Sequence, residues 1–416
     1  MNRDFVLKGN IVYAPVLGEL FIAENAFLVV RDGKVQAIKT EYQGEAIDYG
    51  NRLIIPSLCD MHVHASQYAM AGMGLDLELL PWLLAYTFPE ESRYADRAYA
   101  EEVYEAFAKA LLRAGTTRAC VLGTIHTDTV LLLMDILERT GLTAYVGKVN
   151  MDRNAPKPLC EDTKTSLGET RRWIEESLKR YTHVKPMITP RFIPNCTPEL
   201  LKGLGELARE FGVPIQSHLS ENTGEVAWVK ALEPDAAFYG QAYEKYGLFG
   251  DGVPTVMAHC VQSPKEERAL LAKNGVLMAH CPDSNSNLAS GMADVRAMLD
   301  AGVLVALGSD LAGGCTLSIL EAAAQAIRIS KLREAAGGGR ALTMPETFYL
   351  ATSAGAAFFG DGPGFTPGSP LHALVLDDSH LLGTRDLKPA QRLERCIYLS
   401  RDVKISAVYA NGKKIR

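Results

Sequence analysis

The chain has 416 residues, enough for two or three domains and a sizeable core. Hydrophobic residues at 47% and charged residues at 22% sit near the globular average, which argues against disorder and coiled coil. With 43 Lys plus Arg against 49 Asp plus Glu, the formal charge is −6, so no basic surface is expected for a nucleic-acid backbone or an anionic membrane.

Residues 5–55 read as short strands with turns, Phe27-Leu28-Val29-Val30 and Val35-Gln36-Ala37-Ile38 flanking the hairpin signal Asp32-Gly33. The apolar stretch 11–30 is broken by Glu19, Glu24 and Asn25, so it forms neither a secretory core nor a membrane span. From about Thr117 one unit recurs: apolar strand, polar loop, helix-period segment, glycine, next strand. The junctions are Ala114-Gly115, Thr140-Gly141, Phe211-Gly212, Asn274-Gly275 and Ala301-Gly302, where glycine supplies the left-handed cap that turns the chain into a strand. Continuous apolar runs at 253–258, 276–279 and 303–307 fit strands buried on both faces of a parallel sheet.

Eight strands are expected, near 53–64, 117–124, 142–149, 184–191, 213–219, 254–260, 275–281 and 303–310. Eight alternating units predict an α/β fold, a (β/α)8 TIM barrel. The alternative, a doubly wound open sheet, lacks a glycine-rich phosphate loop after its first strand. Gly337-Gly338-Gly339 reads as a flexible loop after the eighth helix, and past Gly364 strand patterns return in Ala373-Leu374-Val375-Leu376 and Ser406-Ala407-Val408-Tyr409, before a second hairpin signal, Asn411-Gly412. Both termini therefore predict one small β-sandwich domain, residues 1–55 plus 362–416, with the barrel inserted as 56–361. Eight cysteines stand singly, none in CxxC, which suits a reducing, cytoplasmic compartment and disfavours a zinc ribbon.

The nine histidines carry the chemistry. His62 and His64 sit at the end of the first barrel strand, His218 at the end of the fifth, His259 of the sixth, His280 of the seventh and Asp310 of the eighth. Barrel enzymes build their sites on that rim, and a strand's two-residue period turns His62 and His64 to one face. One such pair, or one strand histidine satisfied in a core, carries little. Several strand ends each bearing a ligand-type side chain point to a metal. His62, His64, His218 and Asp310 make a mostly nitrogen set that suits one zinc ion, or iron(II), with a position left for water whose pKa the ion lowers. A second metal would need a bridging carboxylated lysine on the fourth strand, and Lys185 lies at its wrong end. Glu221, three residues after His218, is placed to act as general acid/base for C–N hydrolysis, against the plainer reading of a helix-start glutamate. His259 is suited to bond the water or an oxyanion, Asp60 to brace the histidines, and His280 to a structural role.

These residues resemble the guanine deaminases of the amidohydrolase superfamily over the whole chain. The broad marks are Pro56-Ser57-Leu58-Cys59-Asp60-Met61-His62-Val63-His64, His218, His259 and Gly308-Ser309-Asp310. The narrower ones are His64-Ala65-Ser66-Gln67-Tyr68, the block 74–83, Tyr86-Thr87-Phe88-Pro89-Glu90, Thr189-Pro190-Arg191-Phe192, His218-Leu219-Ser220-Glu221-Asn222, the block 280–285 and the block 308–314. The resemblance implies hydrolysis of guanine to xanthine and ammonia with one zinc per subunit of a homodimer. It implies that His62, His64, His218 and Asp310 bind metal, that Glu221 shuttles protons with help from Asp310, and that Gln67, Arg191 and Phe192 contact the purine. Arg191 suits a carbonyl such as O6, Phe192 suits stacking on a base, and Gln67 offers a donor and an acceptor to a ring edge. The apolar segment 75–88, with Trp82, is expected to cover the pocket. Small departures are Ser57 for a usual Gly, Ser309 for Thr and Asp283 for Asn, the last a candidate to adjust pocket charge. The H-x-E and P-C-x-x-C signatures of cytidine-deaminase-type enzymes are absent. Alternatives are a deaminase of another amino-heterocycle (pterin, triazine or adenosine-like) and an inactive barrel serving as a scaffold.

Overall fold

The computed structural model describes residues 4–381, 383 and 386–416. The barrel strands are, in order, Leu58–His64, Thr116–Leu122, Thr143–Gly147, Val184–Pro186, Ile215–Leu219, Thr255–His259, Leu277–His280 and Leu304–Leu307. They pair in parallel as two runs of four. A bridge between Ile188 and Ile215 joins the runs on one side. On the other, the Asp310 N–H donates to the His62 carbonyl at 2.8 Å, returning the eighth strand to the first. Cys59, Met61, Cys120, Met187, Val256, Ala258, Ala279 and Ala306 pack as one cluster, and residues from such distant strands can meet only inside the barrel.

Helices cover the outside because their apolar residues recur at helical spacing. Arg97–Ala114 turns Val103, Tyr104, Phe107 and Leu111 inward, each side chain contributing about 1.5–3 kcal/mol of burial. Its ends are set locally: Asp96 accepts from the N–H of Ala98 at 2.8 Å, and Gly115 closes the helix at φ 84°. All five junction glycines take positive φ as the sequence pattern requires. Among the described residues no helix is long and apolar enough to cross a membrane.

The first expected strand, 53–64, is two strands. Ile47–Pro56 belongs to a sheet of the termini and Leu58–His64 to the barrel. Pro56 has no N–H to extend a ladder, and at Ser57 the backbone donates instead to the His372 carbonyl at 3.2 Å. Prolines also shorten the fourth strand to Val184–Pro186, with Thr189–Pro190 pairing separately against Val149–Asn150.

Strands from both termini form the small β domain as one seven-stranded sheet. Phe5–Tyr13 pairs with Phe21–Arg31 and with Ile47–Pro56, which pairs in turn with Ala373–Asp377. The hairpin residues Asp32, Gly33, Asn411 and Gly412 all have positive φ, and the two turns touch, so the sheet coils until its flanks meet around Leu7, Ile11, Leu28, Val30, Ile54, Val375 and Tyr409. The layers of the expected sandwich are thus halves of a single sheet. A buried chain ties it to the barrel: Ser57 bonds Thr117, Thr117 Oγ1 bonds His372 Nδ1 at 2.8 Å, and His372 Nε2 bonds Asn411 Oδ1 at 3.2 Å.

Candidate active site

At the C-terminal rim of the barrel, His62, His64 and His218 bring ligand atoms within 4.8 Å of one another, and so do His62, His259 and Asp310. His64 Nε2 lies 3.3 Å from His218 Nε2, while Asp310 Oδ1 lies 3.3 Å from His62 Nε2 and 3.5 Å from His64 Nε2. Both ring nitrogens of His62 and the Nδ1 of His64 are buried without a hydrogen-bond partner. The His218 ring is oriented by its backbone neighbour: a carbonyl can only accept, so Nδ1 donates to the Arg191 carbonyl at 2.7 Å, which leaves the Nε2 lone pair facing the cluster. Burial and the neighbouring imidazoles hold His64 and His218 well below the usual histidine range, so both are neutral electron-pair donors. Donors converging without partners are a pattern that a cation satisfies.

Asp310 lies three residues past the end of the eighth strand, not within it, at φ 44°. Burial works against its charge, but His62 beside it outweighs burial and holds the carboxyl well below the usual range. Asp60, expected as a brace, accepts from the backbone N–H of His62 at 3.3 Å and of Ser309 at 3.0 Å, and from the Ser309 hydroxyl at 2.5 Å. The Ser309 hydroxyl therefore keeps the bond that matters at this departure, and burial raises the Asp60 carboxyl to about 7.

Glu221 is not the first residue of a helix. Ser220 turns the chain at φ 48°, and Asn222 caps Thr223–Leu232 while Glu225 closes the capping box. The Glu221 side chain is left to face inward, with Oε2 3.5 Å from His259 Nε2 and Oε1 3.4 Å from Ser290 Oγ. Burial, with Asp310 beside it, pushes its carboxyl well above the usual range, whereas Asp310 is driven the other way. His259 is held through Nδ1 by Asn285 Oδ1 at 2.9 Å.

Above this cluster a cavity is lined by His64, Gln67, Trp82, Arg191, Phe192, His218, Glu221, His259 and Asp310, with Leu79, Leu83, Glu225 and Leu288. Leucine and aromatic side chains beside convergent polar groups suit a small ligand with both apolar faces and polar edges. Trp82 is fixed by its indole N–H, which donates to the Met73 carbonyl at 2.9 Å, and the covering segment folds as Leu79–Trp82, a π turn Leu83–Thr87 and Phe88–Ser92. A model of the amidohydrolase family matches residues 53–415.

The chain belongs to the amidohydrolase family.

Among its relatives, this amidohydrolase is 36% identical to the guanine deaminase of Dictyostelium discoideum over 99% of its own length and 98% of the other. It is 39% identical to the guanine deaminase of Homo sapiens over 88% and 83% of the two chains. In structure it superposes with a TM-score of 0.96 on the guanine deaminase of C. acetobutylicum, which holds guanine in its active site, at 43% identity and with 99% and 100% of the chains covered. The E. coli guanine deaminase structure gives 0.89 at 30% identity, covering 99% of each.

His64, Gln67, Trp82, Arg191, Phe192, His218, Glu221, His259 and Asp310 all line this cavity, and His62 lies within reach of the His64, His218, His259 and Asp310 ligand atoms. His280 and Asp283 do not line the cavity: burial lowers the His280 imidazole to about 3, and Asp283 accepts the Cys315 N–H at 2.7 Å. Sequence reasoning missed Glu91, Glu225, Asn285 and Ser290. Glu91 is buried between Gln67 and Arg191, yet in sequence it follows Glu90 on a short segment and reads as a solvated charge. Nothing in its spacing sets it apart.

Proposed function

We propose that this amidohydrolase deaminates guanine to xanthine and ammonia, in purine catabolism or salvage, with His62, His64, His218 and Asp310 holding one divalent cation, zinc or iron(II). The observation that carries the reading is the joint presence of partnerless buried imidazoles and a cavity with Arg191, Gln67 and Phe192 on its wall. It is supported by near-full-length similarity to guanine deaminases, one of them with guanine bound. When bound, a divalent cation supplies Lewis acidity that brings water's pKa towards neutrality.

The protein's own groups divide the remaining work. Phe192 and the Trp82 segment, both on the cavity wall, orient the purine and exclude bulk water. Arg191 donates to O6, and Gln67 meets the ring edge. A C–O bond forms at C2 as the C2=N3 π bond opens and N3 takes a proton from Glu221; the bond to the exocyclic amine then breaks from the tetrahedral intermediate, and a second proton, passed from the attacking water through Glu221, leaves with it as ammonia. Asp310 assists deprotonation, and His259, 3.8 Å from Asp310 Oδ2, bonds the oxygen being added. The reading of a cytoplasmic homodimer rests on the family resemblance and on eight free cysteines.

Release of ammonia should be followed from guanine, pterins, triazines and adenosine, with elemental analysis of the same protein. Guanine turnover with close to one zinc per chain is expected, and metal-replete protein that leaves guanine intact would sink the proposal. The Arg191→Ala variant should lose about 100-fold or more in guanine kcat/KM while keeping its metal. Equal loss of both would argue against the contact between Arg191 and the purine.

A further inference from the structure

One buried carboxylate that the chemistry does not use touches both of the polar side chains, Gln67 and Arg191, assigned to the purine edge. Glu91, 1% exposed, lies on the short helix Phe88–Ser92 directly behind the cavity wall. Its Oε2 accepts from Arg191 Nη1, and its Oε1 accepts from Gln67 Nε2 at 3.0 Å. Phe88, three residues earlier on the same helix, sets its ring 5.2 Å from the Arg191 guanidinium carbon.

The chemistry of this bridge is directional. A carboxylate paired with a guanidinium offers only acceptors, so the Gln67 amide must turn its N–H2 toward Glu91. The carbonyl oxygen Oε1 is then the atom that Gln67 has left for the cavity. Arg191 gives a donor to Glu91 and keeps others of its five. Glu91 therefore converts a side chain that could either donate or accept into a fixed acceptor, beside a fixed donor. An acceptor next to a donor complements a lactam edge, a ring N–H adjoining a carbonyl, and opposes an edge on which that N–H and carbonyl are missing.

We propose that Glu91 is a positioning residue that sets the base specificity of this site, by locking Gln67 as an acceptor and Arg191 as a donor toward the N1–H and C6=O edge of the purine. The inference rests on the proposed guanine reaction and deepens it. Glu91 touches no reacting atom; it acts through Gln67 and Arg191. A site whose polar groups are held in place discriminates strongly, because an analogue lacking their partners leaves them buried and unpaired.

The test uses metal-loaded enzyme and two substrates with the same amine at C2: guanine, and 2-aminopurine, which lacks both O6 and the N1–H. Wild-type kcat/KM should favour guanine by about 1,000-fold or more. In Glu91→Gln, Gln67 is free to turn over. Guanine kcat/KM should fall by about 100-fold, mostly through KM, while that of 2-aminopurine changes less than about threefold, with metal content unchanged. A merely structural role would lower both substrates by the same factor and leave their ratio intact; that result overturns the proposal. If Glu91→Gln is insoluble, Glu91→Asp, whose shorter arm cannot span both partners, should compress the ratio at least about tenfold, and an unchanged ratio again overturns it. A wild type that handles the two substrates equally well overturns it without any variant. A wild type inactive on guanine but active on another amino-heterocycle refutes the proposed function instead.

Discussion

At the scale of single residues, two carboxylates in one cavity are driven apart by their surroundings. Glu221 is pushed toward its protonated form by burial and Asp310, whereas Asp310 is kept charged chiefly by His62 beside it. Geometry gives Glu221 its place between His259 and the open cavity, 3.5 Å from the imidazole. Glu221→Gln keeps the shape and removes the transferable proton. Turnover of guanine should fall by about 100- to 10,000-fold, with metal content by elemental analysis unchanged. A fully active variant would remove Glu221 from the proton path. The same scale explains the sequence departures: Ser57 places its hydroxyl on Thr117, and Ser309 places its own on Asp60, so each side chain makes a bond rather than merely being tolerated.

At the scale of elements, caps decide where helices stop and the barrel strands begin. Gly115 ends Arg97–Ala114 at φ 84°, and a Cβ there would lie 2.6 Å from Leu374 Cδ1 in the terminal sheet. Gly115→Ala combines backbone strain with a clash across the barrel–sheet contact, and it should cost about 2–4 kcal/mol in urea unfolding. The helix Met344–Ala351 is held by a capping box between Thr343 and Glu346, and Glu346 also takes Arg296 at 2.8 Å and Arg340 at 2.7 Å. Burial raises the Glu346 carboxyl, but Arg340, Arg296 and Thr343 outweigh it and hold it at about 2. A carboxyl depressed in the folded state stabilises above its ordinary pKa near 4.5, and that contribution is lost as pH falls toward 2. Glu346→Gln should therefore cost about 1 kcal/mol at pH 7 and at pH 5, with the gap to wild type narrowing at pH 3. A gap that widened on acidification would contradict the assigned sign.

At the scale of the whole molecule, the site is assembled from both halves of the barrel, His62 and His64 from the first strand and His218 from the fifth. A cation held there cross-links the two runs of four strands, and a ligand that binds only the folded state stabilises it by mass action. Chelation at neutral pH should lower the unfolding midpoint by several degrees, and zinc should restore it, read by scanning calorimetry. An unchanged midpoint alongside verified metal loss would argue against that cross-link.

Much of this was legible in the sequence. Glycines after helical periods and continuous apolar runs fix the alternation of helix and strand, because a left-handed cap and a doubly buried strand each need particular residues. The spacing of His62 and His64, and the positions of His218, His259 and Asp310 near later strand ends, follow from that alternation together with the rule that barrel sites occupy one rim. Tertiary structure decided the rest. Local pattern cannot show where Pro56 hands the chain from one sheet to another, since the buried run 53–55 at the end of one strand leads straight into the buried Leu58–His64 of the next. Nor can it show that one coiled sheet serves as both layers of the β domain. Glu91 looks like any surface glutamate until folding buries it between an amide and a guanidinium that lie 24 and 100 residues away in the chain, and only that meeting gives its charge a direction.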